Sequence, residues 1–343
     1  MIQNTHRKVN MSSINNINPW QSFIQSQLIA PLSLQGIKNA PSEWICDLSQ
    51  WGLLQISGTD AFKFLQGQIS CDVAQVENQT LQMGACINLK GRILSNFIVY
   101  KAFEQNYYLF CPPNTLAITS AVLKKYAIFS KVKIEEDFVM ALSAGLNLNL
   151  NRAKEVQCLT LSALNFQFYF ASSELIRNLW MDCQENNQVL NSAYFDYQCI
   201  QQGVFFITPA CSELFTPQEI NFELVKGISF TKGCYTGQEV VARLHYRGIP
   251  KRRCYIAEIK ILSGLKADLN SANEIRDNDN KEQGHLLQII SIEDRHFALI
   301  SLSIQSYEAY IERLGVKSTS INSPDTYELH IAEVNHFLSL SPP

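Results

Sequence analysis

The run TKGCYTGQEVVAR, residues 231–243, sets a thiol between two glycines immediately before a charged segment with one apolar side. A cysteine so placed can act as a transient metal ligand, a redox partner or an attachment point, and each of these roles uses the thiolate. Thr236-Gly237-Gln238-Glu239 fits a capping box, in which a threonine hydroxyl and a glutamate carboxylate satisfy free amides at a helix start. Val240, Val241 and Leu244 then line one face of the helix, and Glu239 precedes Arg243 by one turn, the favourable order for an ion pair. Cys234 therefore stands just ahead of a helix N-terminus, where partial positive charge collects. Lys232 adds a cation, and both influences favour thiolate over thiol. Gly233 permits backbone angles or close approaches that a side chain would forbid. Tyr235 completes the loop.

The segment is neither a phosphate loop, since the Lys-Ser/Thr ending is missing, nor a Cys-His dyad on sequence grounds, since His245 lies well downstream. Upstream, Thr216-Pro217-Gln218-Glu219 reads as a second capped start, with proline at the first helical position. Downstream, Arg243, His245, Arg247, Lys251, Arg252 and Arg253 form a basic stripe flanked by Tyr246 and Tyr255, a pattern able to stack bases and touch phosphates in direct contact with RNA.

The elements that must position this loop follow from periodicity. The chain has 343 residues, 46% hydrophobic and 17% charged, and a net charge of -3, so no global basic balance points to nucleic acid. Residues 52–57, 84–100 and 106–111 read as strands, with helices after Thr59 and Asn114. From 138 the pattern repeats in kind, with strands at 139–143, 157–162 and 165–170 and helices at 172–183 and 192–202. Three strand-like runs follow Pro250, with a polar loop at 270–284. The fold class expected is α+β: a weakly structured leader over 1–43 (with Met11 as an alternative start), one unit over 44–137, a second over 138–249 and a small β-barrel over 250–343. Ten cysteines are scattered with no CxxC pair, no signal-peptide pattern is seen and no apolar run reaches membrane length. A reducing, cytoplasmic setting is the reading, without a permanent metal, since one signature thiol cannot hold a stable cluster.

The run ELFTPQEINFELVKGISFTKGCYTGQEVVARLHYRG (213–248) closely resembles the signature of the YgfZ-type folate-binding proteins, tRNA-modifying and iron–sulfur maturation factors related to the T protein of the glycine cleavage system, an aminomethyltransferase. Residues 51–73, 123–132 and 201–207 share the likeness, which spans the chain from about 44 to 340. The resemblance implies a folate pocket between the two α+β units and tetrahydrofolate or a derivative as cofactor. Trp51 and Phe195 are its implied aromatic contacts, and Gln201 stands where the family usually has a glutamate that holds the pterin. It also implies a monomer whose partners are iron–sulfur client proteins such as tRNA-thiolating enzymes. Ser95-Asn96 stands where the T protein carries an Asp pair, one of them essential for methylene transfer, and neither residue supplies an anionic base. The implied function is therefore an accessory factor with Cys234 as functional thiolate. The alternative is a tetrahydrofolate-dependent aminomethyl transferase that recruits another carboxylate, Asp60 or Asp72 being nearest in sequence.

Overall fold

A computed structural model describes residues 18–76, 80–103, 105–151, 153–261, 270–276, 281–308 and 327–331. Helices α1 (Pro19–Gln25) and α2 (Leu34–Lys38) precede strands β1 (Trp44–Asp47) and β2 (Gly52–Ser57), then α3 (Ala61–Gln68). Strands β3 (Thr80–Ile87), β4 (Ile93–Phe103) and β5 (Asn106–Cys111), helix α4 (Leu116–Tyr126) and β6 (Lys133–Glu136) follow. Next come β7 (Met140–Leu146), β8 (Gln157–Leu161), β9 (Gln167–Ser172), α5 (Ser173–Glu185), α6 (Ala193–Gln201) and α7 (Gln238–Arg247). The chain continues with β10 (Arg252–Ile261), β11 (Glu274–Arg276), β12 (Glu282–Ile292), β13 (Arg295–Ser303) and β14 (Tyr327–Ile331).

Nine strands form one sheet in the order β1-β7-β9-β8-β3-β4-β5-β2-β6. Its neighbours are antiparallel except β3 and β8, which pair in parallel at Thr80 and Leu81. That seam joins strands of the two expected units into one sheet. β1 crosses the boundary as well, pairing with β7 rather than with its sequence neighbours.

Alternation along the strands sends successive side chains to opposite faces. Phe97 and Val99 of β4 join Leu54 and Ile56 of β2 beneath α3 and α4, whereas Ile98, Tyr100 and Leu53 face the large central core. The central core also takes in Phe195 of α6, Phe205 and Phe206, and Leu287, Phe297 and Leu299 of the C-terminal strands. The C-terminal strands thus close over the inner face of the main sheet.

One expectation changes and the C-terminal barrel is not confirmed. The leader expected to be weakly structured carries α1 and α2 in its described part, and Trp20 is buried edge-on to Trp180 of α5 at 5.4 Å. A tryptophan supplies enough apolar area to fasten a short helix that its own propensity could not hold. Residues 1–17, including Met11, lie outside the described residues. The strands after Pro250 form an antiparallel sheet, β11-β12-β13-β10-β14, with β11 and β14 at its edges and no barrel closure among the described residues. β11 occupies part of the stretch expected to be a polar loop. Among the described residues no helix is long and apolar enough to cross a membrane.

Candidate functional site

The signature loop is held by backbone contacts more than by its own side chains. Lys232 Nζ donates to Gln66 O at 2.8 Å, Ile69 O at 2.6 Å and Cys71 O at 2.7 Å. All three ammonium protons are therefore committed to the C-terminal end of α3 and the turn after it, where carbonyls favour a cation. Burial pulls the Lys232 pKa down to about 8, opposed by the nearby Asp72 carboxylate, and the three carbonyl oxygens hold the proton in place. The ammonium also lies 4.8 Å from the centre of the Tyr235 ring, which is buried beneath the loop. The expected partnership of Lys232 with the Cys234 thiol gives way to this anchoring role.

The capping box expected at Thr236–Glu239 does not form. Gly237 takes the N-cap position with φ 83°, and no side chain caps α7. A Cβ there would lie 2.6 Å from both Asn88 O and Ile87 Cγ2, so only glycine lets the helix start settle on the 88–91 turn. Gly91 returns the fit, since its own Cβ would lie 2.6 Å from Val240 Cγ1. Thr236 instead faces α3, its amide donating to Gly67 O at 3.3 Å. Gly233 has open space around it and no positive φ, so the freedom expected of it is unused. Glu239 and Arg243 are both exposed, and among the described residues they form no ion pair with each other. The box at Thr216 does form, although it opens a three-ten turn, and Glu219 also bridges to Arg92 at 3.1 Å.

Out of this frame Cys234 stands exposed. Eight of the ten cysteines are buried and Cys158 is half-buried, so a solution reagent meets one thiol first.

A separate cavity of about 310 Å³ lies on the inner side of the main sheet, at the lower end of the ~300–1,000 Å³ typical of small-molecule sites. Trp51, Phe195 and Phe206 wall it. Trp51 meets Phe195 at 5.6 Å and Phe206 at 4.9 Å, both near perpendicular, while Phe195 and Phe206 are close to parallel at 6.3 Å. Such an aromatic corner offers stacking and edge contacts to a flat heterocycle. Asp196 and Gln288 supply polar lining. Solvent reaches the Asp196 side chain, yet protein surrounds it on most sides, and this desolvation raises its carboxyl to about 6 despite the hydrogen bond from Gln288.

No family model matches the chain. A tRNA-modifying protein YgfZ from Photobacterium profundum is 32% identical over 231 residues, covering 63% of this chain and 70% of that protein. Another from Vibrio atlanticus is 30% identical over 270 residues, 74% of this chain and 78% of the relative. The chain belongs to the YgfZ family. Among solved structures, the glycine cleavage system aminomethyltransferase T from Bartonella henselae superposes with a TM-score of 0.64 over 90% of each chain at 14% identity. The YgfZ chain and the transferase therefore share a fold.

In this YgfZ chain, Ser95 and Asn96 are fully buried structural groups. Ser95 Oγ accepts from Thr119 Oγ1 at 2.9 Å. Asn96 donates to Phe205 O at 2.8 Å and accepts from Ile207 N at 2.7 Å, holding the segment that carries the cavity wall Phe206. The carboxylates named as replacements are engaged elsewhere: Asp60 accepts from Lys131 N at 2.8 Å, and Asp72 accepts from Ala74 N at 3.1 Å and Gln66 Nε2 at 2.7 Å. Neither lines the Trp51 cavity.

The structure brings Trp51 and Phe195 together but leaves Gln201 apart. Gln201 is the exposed last residue of α6 and lines a smaller cavity of about 110 Å³ with Asn221 and Tyr255. Sequence reasoning missed Phe206, Asp196 and Gln288. A lone acid within AYFDYQCIQ was a usable signal for Asp196, whereas Gln288 reaches the cavity only through tertiary packing. The basic stripe of this YgfZ chain is thinned as well. Arg252 pairs with Glu282 at 2.6 Å, Arg253 pairs with Glu223, and Tyr255 is buried against Tyr307 at 4.0 Å. Arg243, Tyr246, Arg247 and Lys251 remain exposed along and beyond α7.

Proposed function

We propose that this chain is a folate-binding factor in tRNA modification that helps assemble or repair iron–sulfur clusters of client enzymes. Tetrahydrofolate or a derivative occupies the cavity walled by Trp51 and Phe195, and Cys234 is the functional thiol. The observation that carries the reading is the convergence of Trp51, Phe195 and Phe206 on one cavity of ligand size. A pterin is flat and heteroaromatic, and an aromatic corner with polar lining suits it. The residues present fit the cofactor. The exposure of Cys234 supports the second half of the reading, because a thiol that hands on or protects a cluster has to be reached by a client. The family's printed name, tRNA-modifying protein, supports the link to tRNA.

Aminomethyl transfer is the weaker reading, because Asn96 is consumed by the 205–207 backbone and neither Asp60 nor Asp72 lines the cavity. Direct tRNA contact falls to the exposed Arg243, Tyr246, Arg247 and Lys251. The test is calorimetric titration with tetrahydrofolate together with complementation of a deletion strain. Native protein binds and Trp51→Ala loses at least tenfold in affinity; Cys234→Ala binds tetrahydrofolate normally but fails to restore thiolated tRNA. Full rescue by Cys234→Ala would remove the thiol from the mechanism, and steady turnover of methylene-tetrahydrofolate with ammonia and a lipoyl acceptor would reinstate the transferase.

A further inference from the structure

The cavity walled by Trp51 and Phe195 has a polar side built from two distant parts of the chain. Asp196 follows Phe195 on α6, and Gln288 comes from β12 of the C-terminal sheet. Gln288 Nε2 donates to Asp196 Oδ1 at 3.3 Å. Among the described residues, Gln288 Oε1 is buried without a hydrogen-bond partner, and a buried acceptor left unpaired is costly. The result is a carboxylate and an amide oxygen beside aromatic walls, a surface that offers acceptors.

We propose that Asp196 and Gln288 read the edge of the bound heterocycle, accepting hydrogen bonds from adjacent ring N–H and exocyclic NH2 donors such as those of a 2-amino-4-oxo-pterin. The inference rests on the folate reading of the cavity and narrows it. A carboxylate can take two parallel N–H donors at once, which fixes the ring in its plane while Trp51 and Phe206 contact its faces and edges. Gln201, exposed on the neighbouring surface, has no part in it. Burial raises the Asp196 carboxyl to about 6, and incoming donors stabilise the ionised form. Other titratable groups face it from the packed elements: Asp47 at the end of β1 lines the same cavity, while the thiols of Cys46 on β1 and Cys199 on α6 sense its charge and are held protonated by burial.

The probe is 5-formyl-tetrahydrofolate, with a 2-desamino-2-methyl folate analogue lacking the exocyclic donor, titrated calorimetrically into native protein, Trp51→Ala, Asp196→Asn and Gln288→Leu. The native protein prefers the complete ligand over the desamino analogue by at least tenfold, and Asp196→Asn abolishes that preference. Affinity of the native protein falls about tenfold between pH 7 and pH 5, as the ionised fraction of a group titrating near 6 falls, and Asp196→Asn flattens the profile. If Trp51→Ala loses binding while Asp196→Asn and Gln288→Leu match the native protein for both ligands at every pH, the edge assignment is overturned and the folate site stands. If native protein binds neither ligand, both fall together. The comparison of the two ligands on native protein requires no variant to fold.

Discussion

Asn96 is bonded on both sides of its amide to one backbone segment: its Nδ2 donates to Phe205 O at 2.8 Å and its Oδ1 accepts from Ile207 N at 2.7 Å. The pair spans Phe206, whose ring walls the cavity. A side chain at a position linked by family resemblance to transfer chemistry thus serves here to shape the site. An aspartate cannot donate to Phe205 O. Asn96→Asp is expected to cost about 1–3 kcal/mol for the polar group left unpaired, with weaker tetrahydrofolate binding. Urea unfolding checks this; an unmoved midpoint would show that the amide does not hold the segment.

The two glycines flanking Cys234 are expected to behave differently. Gly237→Ala must adopt φ 83° and meet Asn88 O, so it destabilises by at least about 1–3 kcal/mol. Gly233→Ala meets open space and stays within about 0.5 kcal/mol of native, as surface changes usually do. Paired thermal melts distinguish them, and equal effects would contradict the docking of α7 on the 88–91 turn.

Lys232→Met removes a cation that three carbonyls share. Hydrogen bonds to charged groups contribute about 1.5–3 kcal/mol, so a loss of this order or more is expected, with the damage local. Hydrogen exchange should quicken across 66–71 and 231–237, and protection equal to native would mean that the clamp is dispensable.

Brief treatment of native protein with a maleimide should modify Cys234 well before any other thiol, Cys158 being next. Peptide mass spectrometry reads this directly. Cys234→Ala, an exposed change, should alter stability by no more than about 0.5 kcal/mol. Rapid labelling of several buried cysteines would instead indicate a loosely packed core.

The pH dependence of stability carries the mark of Asp196. Its carboxyl titrates at about 6 in the folded chain against 3.8 ordinarily, because burial disfavours the charge. The folded state therefore holds that proton more tightly than the unfolded chain does. This stabilising contribution is complete below about pH 4 and is lost as pH rises through about 6. Relative to Asp196→Asn, native ligand-free protein should become less stable between those limits. Melts across the range test the sign, and a difference that does not change with pH would contradict it.

Local pattern was enough for much of the fold. Helices α5 and α6, the strands of β10, β12 and β13, and the capping box at Thr216 follow from periodicity and turn chemistry over a few residues. The singular position of Cys234 was also readable, because the residue types around it are near neighbours in the chain. The cap of α7 was not: Thr236 and Glu239 satisfy the local rule, but the helix start is decided by Asn88 and Ile87, which only folding brings beneath Gly237. The same holds for Lys232, drawn to carbonyls that lie at residues 66–71. Trp20 looked like part of a loose leader because its partner, Trp180, is remote in sequence.

By itself, then, the amino-acid order determined the elements and the exposed thiol loop, since propensity, capping and hydrophobic period act over one or two turns. Tertiary structure alone decided that Trp51, Phe195 and Phe206 share a cavity and that Asp196 of α6 meets Gln288 of the C-terminal sheet. Close packing of remote segments sets those distances, and it responds to shape and burial rather than to spacing along the chain.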